Sequence, residues 1–250
     1  MFGNGKNSMF KYSSLKLTNN SKVKFRKEHN NTFSITQGLP KHGGSCVGAT
    51  EGKGGCVDVC YDCNLRKLYK GYAAVEDRNF QLIKDASAED VYQVVRNTIN
   101  KWILTYGLDD PYFRLHTGGD FYSEDYARAW KRVIDETPEV QFWTYTRSLF
   151  AVPILADCKN LTLMLSCDPV NKDSVLQTYE DYKHYPNIAI AWMGDDLPDW
   201  QFDRKFLVCP AVTGKVKNGK EEGACSRCRA CVDRPLKSGQ IRHVQFPIHR

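Results

Sequence analysis

The chain lacks any long hydrophobic run, and this absence excludes the simplest class of membrane protein. No apolar stretch approaches the ~18–20 residues that a membrane-spanning helix needs. The opening Met1-Phe-Gly-Asn has no apolar segment of the kind that directs export. Apart from a polar stretch near the start, the sequence contains neither a low-complexity segment nor an internal repeat. We therefore expect a cytoplasmic protein that does not contact a membrane and that does not rely on an extracellular disulfide framework.

Charge of one sign is not in large excess either, so the composition does not require a polyanionic partner. The 35 Lys and Arg residues against 29 Asp and Glu residues leave a net charge of +6. Much of the positive charge lies near the two ends, at Lys11, Lys16, Lys22, Lys24, Arg26, Lys27, Lys215, Lys217, Lys220, Arg227, Arg229, Arg234 and Lys237. Such ends permit nucleotide or nucleic-acid binding, although lysines also serve ordinary solubility. With 42% hydrophobic residues and a mean hydropathy of −0.51, the chain can bury a sizeable core.

Cysteine, by contrast, is abundant and tightly grouped. The first set is a C-x3-C-x2-C run with one cysteine upstream, and it comprises Cys46, Cys56, Cys60 and Cys63. The second is a C-x2-C-x2-C run with one cysteine upstream, and it comprises Cys209, Cys225, Cys228 and Cys231. Thiolates at this density suit a metal ion or a cluster, because several sulfurs can converge without distant chain closure. Disulfides are the weaker alternative, since a chain of 250 residues does not need covalent staples.

Strand and helix patterns alternate through the middle of the chain. Predicted strands cover residues 32–36, 112–116, 140–145, 161–166, 188–192 and 205–208. Ser87 and Ser123 are candidate N-caps of two intervening helices. This alternation predicts an α/β fold of parallel βαβ units, in a barrel or a doubly wound sheet. We expect a flexible polar basic arm over 1–30, the barrel over 31–208, and a small cysteine-rich lobe over 209–250.

The first cysteine set lies in a glycine-rich loop between the first predicted strand and the first long helix. A C-x3-C-x2-C loop in this position is typical of radical S-adenosylmethionine (SAM) enzymes, which bind a [4Fe-4S] cluster through three cysteines. The fourth iron stays open to SAM, and one-electron reduction then releases a 5'-deoxyadenosyl radical that abstracts hydrogen from a substrate. The rival interpretation is zinc, which four cysteines would enclose without leaving an open position.

A second candidate element follows the strand at residues 112–116. Gly118-Gly119-Asp120 resembles the Gly-Gly-Glu element with which radical SAM enzymes contact the SAM amino group, because a carboxylate pairs with an ammonium. Alternatively, it is only a tight turn with Asp120 near a helix start. Arg147 and Ser166 also lie near strand ends, where they could line a barrel mouth, and Arg147 could meet a carboxylate or phosphate. A solvated loop charge or a helix cap explains each of these two equally well.

The longest distinctive pattern is Phe113-Arg-Leu-His-x-x-Gly-Asp-Phe-Tyr-Ser-x-x-Tyr-x-x-x-Trp130, followed by Pro138-x-Val-x-Phe-Trp-x-Tyr-Thr-Arg147. It resembles a family of phage-encoded proteins that is regarded as radical SAM-like, and the similarity covers roughly residues 33 to 231. The resemblance implies a partial (β/α)6 TIM-like barrel of radical SAM type, closed by the cysteine-rich lobe.

The resemblance leaves open which three cysteines of the first set would ligate the cluster. The family's own cysteines correspond to Cys46, Cys56 and Cys60, which makes Cys63 an extra. Radical SAM loops usually place an aromatic residue directly before the third cysteine, whereas Asp62 stands there in this chain. Either triple would leave an open iron, but four ligands would close the site.

The function predicted from these patterns is a radical SAM-type enzyme that uses SAM and a [4Fe-4S] cluster, with catalytic residues unknown. The second cysteine set would hold another cluster, or zinc as its close competitor. Such an enzyme needs an electron donor such as flavodoxin or ferredoxin, and its substrate would be a nucleotide or nucleic acid in the host cytoplasm if the protein is phage-encoded. The alternative is a non-catalytic factor that binds iron–sulfur or zinc and recognises nucleic acid or protein on a degenerate barrel.

Overall fold

The computed structural model describes residues 10–248, and its central element is one six-stranded sheet. The strands are β1 (Tyr112–Arg114), β2 (Gln141–Thr146), β3 (Leu161–Cys167), β4 (Ile188–Met193), β5 (Phe206–Val208) and β6 (His243–Phe246). They lie in the order β1-β2-β3-β4-β6-β5, and every neighbouring pair is parallel. The predicted α/β fold with parallel strands is therefore confirmed.

Helices connect the strands, and their starts follow local sequence signals. They are α1 (Tyr61–Leu68), α2 (Lys70–Ile83), α3 (Ala88–Tyr106), α4 (Glu124–Glu136), α5 (Val152–Leu155), α6 (Lys172–Tyr182) and α7 (Ala224–Cys228). The Ser87 hydroxyl accepts the Asp90 backbone N–H at 3.2 Å, and the Ser123 hydroxyl accepts the Tyr126 N–H at 3.2 Å. Each bond satisfies a donor that the first helical turn leaves free. Both predicted N-caps are confirmed.

The two faces of the sheet are covered differently. Leu163 and Leu165 of β3 join the large core under the helices, whereas Met164 belongs to a separate apolar cluster on the opposite face. That opposite face is covered by a segment around residues 23–25 and by the C-terminal segment, which carries the second cysteine set. Because both faces are buried, the strands are almost continuously apolar, as parallel strands usually are.

Two strands differ from the prediction. The segment at 32–36 is extended, but within residues 10–248 it forms only two isolated bridges, a parallel one from Thr32 to Arg114 and an antiparallel one from Phe33 to Leu17. Strand β1 ends after three residues, and His116 interrupts the extended run by adopting a φ of 53°. Strand β6 was not predicted, and it inserts between β4 and β5.

The two end segments of the chain both pack against the sheet. Residues 1–9 of the expected flexible arm lie outside the described residues, and from Phe10 onward Leu15 and Val23 are buried. The segment after residue 208 contributes β6 to the sheet. Within residues 10–248, no helix combines the length and the apolar composition needed to cross a membrane.

Candidate metal centres

The first cysteine loop lies across the carboxyl ends of β1, β2 and β3. The Thr50 hydroxyl donates to Asp168 Oδ2 at 2.6 Å, directly after β3. The Asp120 backbone N–H donates to Ser45 Oγ at 3.2 Å, after β1. A Cβ on Gly48 would lie 2.1 Å from the Arg147 carbonyl oxygen after β2, so only glycine permits this approach. The loop is therefore tied to the edge at which parallel α/β folds usually bind ligands.

The thiols of this loop are half-buried and influence one another. Burial raises the pKa of Cys46, and the nearby charges of Asp120, Cys60 and Cys56 raise it further. Burial likewise raises the pKa of Cys60 to about 12, and the charge of Cys63 adds to that rise. The Cys63 thiol donates to Gln37 Oε1 at 3.4 Å, outside the set. Removing these protons is costly in the free chain, and a bound cation would offset that cost.

The second cysteine set forms a similar group on the sheet face opposite the helices. Burial raises the pKa of Cys225 to about 11 and that of Cys231 to about 12, and in both cases the charges of Cys209 and Cys228 contribute. The Tyr145 hydroxyl of β2 donates to Cys231 Sγ at 2.8 Å. The structure thus brings all four cysteines of the second set together, although up to 22 positions separate them in sequence.

Neither set forms a ready coordination shell. All ten cysteines are free thiols, and among residues 10–248 no three Cys, His, Asp or Glu side chains converge closely enough to hold an ion. The donor chemistry of both sets suits soft metals and iron–sulfur clusters. Binding would still require the thiol side chains to turn toward a common centre.

The predicted Gly-Gly-Asp element is a tightly built turn. The buried Asp120 carboxylate accepts hydrogen bonds from Thr146 Oγ1 at 2.7 Å, the Phe121 N–H at 2.7 Å and the Arg147 N–H at 2.8 Å. Burial raises its pKa, and these three donors act against that rise. Because three of its acceptor positions are already used, Asp120 holds the strand ends together. The turn interpretation accounts for it as well as the ligand interpretation does.

The other two predicted residues lie at the same edge. Arg147 Nη1 forms an ion pair with Asp168 Oδ2 at 2.5 Å, and the two side chains are 12% and 0% exposed. The expected carboxylate partner of Arg147 is therefore supplied by the protein. Ser166 contributes its carbonyl oxygen, which accepts the side-chain amide of Asn171 at 3.0 Å.

A buried carboxylate pair beside this turn was missed. Asp62 of α1 and Glu76 of α2 are 2% and 0% exposed, and Asp62 Oδ2 and Glu76 Oε1 lack any donor within the described chain. Both oxygens would lie 2.4 Å from a Cβ on Gly118, so this glycine makes room for them. Arg66 Nη1 pairs with the other Glu76 oxygen at 2.7 Å. No sequence spacing signalled this pair, since acidic residues on helices are ordinarily solvated.

Arg114 was missed although a signal existed. Phe113 and Leu115 belong to the core under the helices, so alternation turns the Arg114 side chain to the face that carries the second cysteine set. An arginine inside a strand that is covered on both faces is unusual. That position alone could have marked it as a functional candidate.

The matches to known proteins cover all of these features. A profile of the Gene product 88 (GP88) family matches residues 8–234. The Gene 88 protein of Mycobacterium phage L5 is 34% identical over 203 residues, covering 78% of this chain and 82% of the phage protein. The Gene 88 protein of Mycobacterium phage D29 is 33% identical over 236 residues, covering 88% of this chain and 95% of that protein. No solved structure matches the chain. The expected likeness to phage-encoded proteins is confirmed, and the chain belongs to the Gene product 88 family.

Proposed function

We propose that this protein is an iron–sulfur enzyme of radical SAM type, and that its parallel sheet is the wall of a partial barrel. The observation that carries the proposal is the position of the first cysteine loop. It lies across the carboxyl ends of β1, β2 and β3 and beside the Gly118-Gly119 turn, where a barrel enzyme builds its active site. A cytoplasmic setting would keep these thiols reduced.

Within this proposal, Cys46, Cys56 and Cys60 ligate the cluster. The charges of Cys56 and Cys60 both act on Cys46. The Cys63 thiol acts on Cys60 but donates to Gln37 Oε1 outside the set, and the triple without Cys63 lets it keep that bond. A [4Fe-4S] cluster held by three thiolates supplies one-electron reduction of SAM to a 5'-deoxyadenosyl radical. A small electron-transfer protein such as flavodoxin or ferredoxin would deliver the electron.

The turn after β1 would orient SAM. Gly118 is buried and makes room for Asp62 and Glu76, so the half-buried Gly119 would border the ligand's amino group, while Asp120 holds the turn through its three hydrogen bonds. Arg147, which pairs with Asp168, places its positive charge at the mouth of the proposed barrel, and Ser166 lies on the neighbouring strand β3. The second cysteine set would hold an auxiliary cluster or a structural zinc ion.

The substrate class we favour is a nucleotide or nucleic acid. The structure joins the two basic ends of the chain, because the Gly223 and Cys225 N–H groups donate to the carbonyls of Lys24 and Lys22 at 2.7 and 2.9 Å. A cavity of about 620 Å³ lies between these ends, and its lining includes Arg26, Lys27, Lys220 and Arg227 together with Glu221 and Glu222. Clustered cations of this kind attract phosphate.

A binding measurement tests the substrate class. We expect Lys27→Gln and Lys220→Gln each to weaken binding of a fluorescent single-stranded DNA, with a smaller loss at high salt because fewer counterions are released. Exposed Lys101→Gln, on α3, serves as the matched control and should bind like the wild type. Equal binding by all variants would remove the basic cavity from the proposal.

The activity is tested on anaerobically purified protein. We expect a brown protein with about four iron atoms per cluster, and 5'-deoxyadenosine should form when SAM and a reductant are added. The double variant Cys56→Ala/Cys60→Ala should lose this activity, whereas Cys158→Ala, which removes a buried thiol outside both sets, should retain it. A colourless wild-type protein with two zinc ions would refute the enzyme.

A non-catalytic metal-binding factor is the second candidate. It is favoured by the presence of a fourth cysteine in the first set, since four thiolates close a zinc site. Such a factor would bind zinc in both sets and retain the DNA affinity of the basic cavity, but it would neither bind nor cleave SAM.

A further inference from the structure

Arg114 is placed among the groups of the second cysteine set. It is the last residue of β1, and its side chain lies on the sheet face opposite the helices. Its guanidinium carbon lies 4.9 Å from the ring centroid of Tyr145, at cation–π distance. The hydroxyl of that tyrosine donates to Cys231 Sγ at 2.8 Å. The guanidinium, the phenol and the thiol therefore form one chain of contacts from β1 through β2 to the second set.

Arg114 lacks the partner that other poorly exposed arginines in the described chain possess. Arg66 pairs with Glu76, Arg147 with Asp168, and Arg204 with Asp203. In residues 10–248, no carboxylate pairs with Arg114 and no acceptor receives its side-chain N–H groups, and its Nε atom is buried without a partner. An unpaired buried N–H donor is costly, so the position can accept an anion that makes no ion pair with Arg114 in the described chain.

The contact of Arg114 with Tyr145, whose hydroxyl donates to Cys231 Sγ, indicates which anion. Burial by itself would lower the pKa of Arg114. The negative charges of nearby phenols and thiols outweigh burial and raise this pKa; they belong to Tyr61, Tyr145, Cys225 and Cys231. In the reverse direction, Arg114 acts to lower the pKa of Cys225. The charge of Arg114 also acts to lower the pKa of Asp62, although no ion pair joins these two side chains within residues 10–248. The other groups that can become negative near Arg114 are two thiols of the second set and two phenols, and its ring contact is with Tyr145, on the side of that set.

Metal binding would create that negative charge. Ligating cysteines are thiolates, and a divalent ion neutralises only two of the four charges in a four-cysteine site. We propose that Arg114 is the built-in counter-ion of a metal centre held by Cys209, Cys225, Cys228 and Cys231, with Tyr145 as a hydrogen-bond donor to the Cys231 sulfur. The proposal rests on metal binding by the second set, and it requires neither SAM nor a cluster in the first set.

Arg114 is accordingly a positioning residue and not a metal ligand. Groups that hydrogen-bond or compensate metal ligands typically change metal affinity by 10–100-fold. The positive charge of Arg114 and a hydrogen bond from Tyr145 to a ligand sulfur would also raise the reduction potential of an iron–sulfur centre at this place. Lysine should preserve much of the effect because it keeps the charge, although it loses the planar fork of donors.

Zinc affinity measured by competition with a chromophoric chelator tests the proposal. The full-length chain carries Cys56→Ala/Cys60→Ala in all samples, so that only the second set can complete a four-thiolate site. We expect Arg114→Gln to weaken zinc binding by 10–100-fold and Tyr145→Phe to weaken it less. Arg114→Lys should stay within a few-fold of the parent. Arg128→Gln is the matched control, since this arginine of α4 is exposed, pairs with Glu124 at 2.9 Å and lies outside both cysteine sets.

Thermal melting separates a counter-ion from a structural residue. Without metal, Arg114→Gln should melt at or above the parent temperature, because a partly buried charge without an ion-pair partner in the described chain is removed. With zinc, the same variant should melt below the zinc-bound parent. A metal-free Arg114→Gln that melts far below the parent would overturn the proposal.

Three further results would also overturn it. The first is unchanged zinc affinity in Arg114→Gln, and the second is no zinc binding by the parent. The third concerns inorganic phosphate. If phosphate raises the melting temperature of the metal-free parent but not that of Arg114→Gln, the guanidinium binds a free oxyanion. Failure of SAM cleavage in the wild type would refute the proposed enzyme and leave this result standing.

Discussion

The carboxylate pair of Asp62 and Glu76 should make the stability of the protein depend on pH in an unusual direction. Burial, followed by the charge of Asp62, raises the pKa of Glu76 to about 8. Their facing oxygens have no other donor in the described chain, so a proton on one of them provides a hydrogen bond to the other. At neutral pH the pair therefore retains a proton that an exposed glutamate would have lost.

The sign of the effect follows from proton binding. An unfolded glutamate titrates near pH ~4.3, whereas the folded chain releases the Glu76 proton at a pKa of about 8. Between these two values the folded state binds more protons than the unfolded state, so the contribution of Glu76 to stability falls as pH rises. At about 1.36 kcal/mol per pH unit, the loss between pH 5 and pH 8 amounts to at most about 4 kcal/mol.

The substitution Glu76→Gln isolates this contribution. Glutamine keeps the shape and accepts a hydrogen bond, but it cannot ionise, and Arg66 retains Asp77 as a partner at 2.9 Å. We expect the wild type and the variant to have similar free energies of unfolding at pH 5. At pH 8 we expect the variant to be more stable by a few kcal/mol. Exposed Glu139→Gln is the matched control and should follow the wild type at every pH.

Urea denaturation followed by tryptophan fluorescence, at pH 5, 6, 7 and 8, measures the difference between the two proteins. The buried His116 and His243, whose pKa values burial lowers to about 3 and about 4, titrate in both proteins and cancel in this difference. A difference that stays constant from pH 5 to pH 8 would show that the pair is charged, and the reasoning would be wrong.

Three further predictions address the same region. Gly118→Ala should cost about 1–3 kcal/mol of stability by overpacking, because its Cβ would lie 2.4 Å from both carboxylates. The control Gly71→Ala in α2 meets nothing within 4 Å, so in denaturant titrations it should be neutral or stabilising. Asp168→Ala removes one partner of a buried ion pair and should cost about 3–5 kcal/mol, with faster proteolysis of the first cysteine loop; unchanged cleavage would contradict its anchoring role. After anaerobic reconstitution, Cys46→Ala should lose the iron of the first centre and Cys63→Ala should keep it, and iron loss in both would indicate a closed four-cysteine site.

Asp120 shows where interpretation of a motif from sequence reaches its limit. The residue order Gly118-Gly119-Asp120 predicted an element that contacts SAM, with a tight turn at a strand end as the alternative, and Gly119 adopts a left-handed φ of 83° there. Whether the carboxylate is open to a ligand depends on Thr146 and Arg147, which come from the next strand. Motif spacing carries no information about those donors.

What the sequence alone determined lies within short stretches of chain. Ser87 and Ser123 began helices because a cap bonds to an N–H three residues later. The apolar runs of β2, β3 and β4 were recognisable because burial on both faces demands them. The cysteine sets were recognisable by spacing alone.

The tertiary structure alone decided the features that depend on distant partners. Strand β6 has four residues and becomes a strand only because β4 and β5 flank it. Asp62 and Glu76 form a pair only because α1 and α2 pack beside Gly118, and Arg114 reaches the second cysteine set only because the C-terminal segment covers its face of the sheet. Burial and charge compensation depend on which side chains meet in space, and local sequence patterns do not specify those meetings.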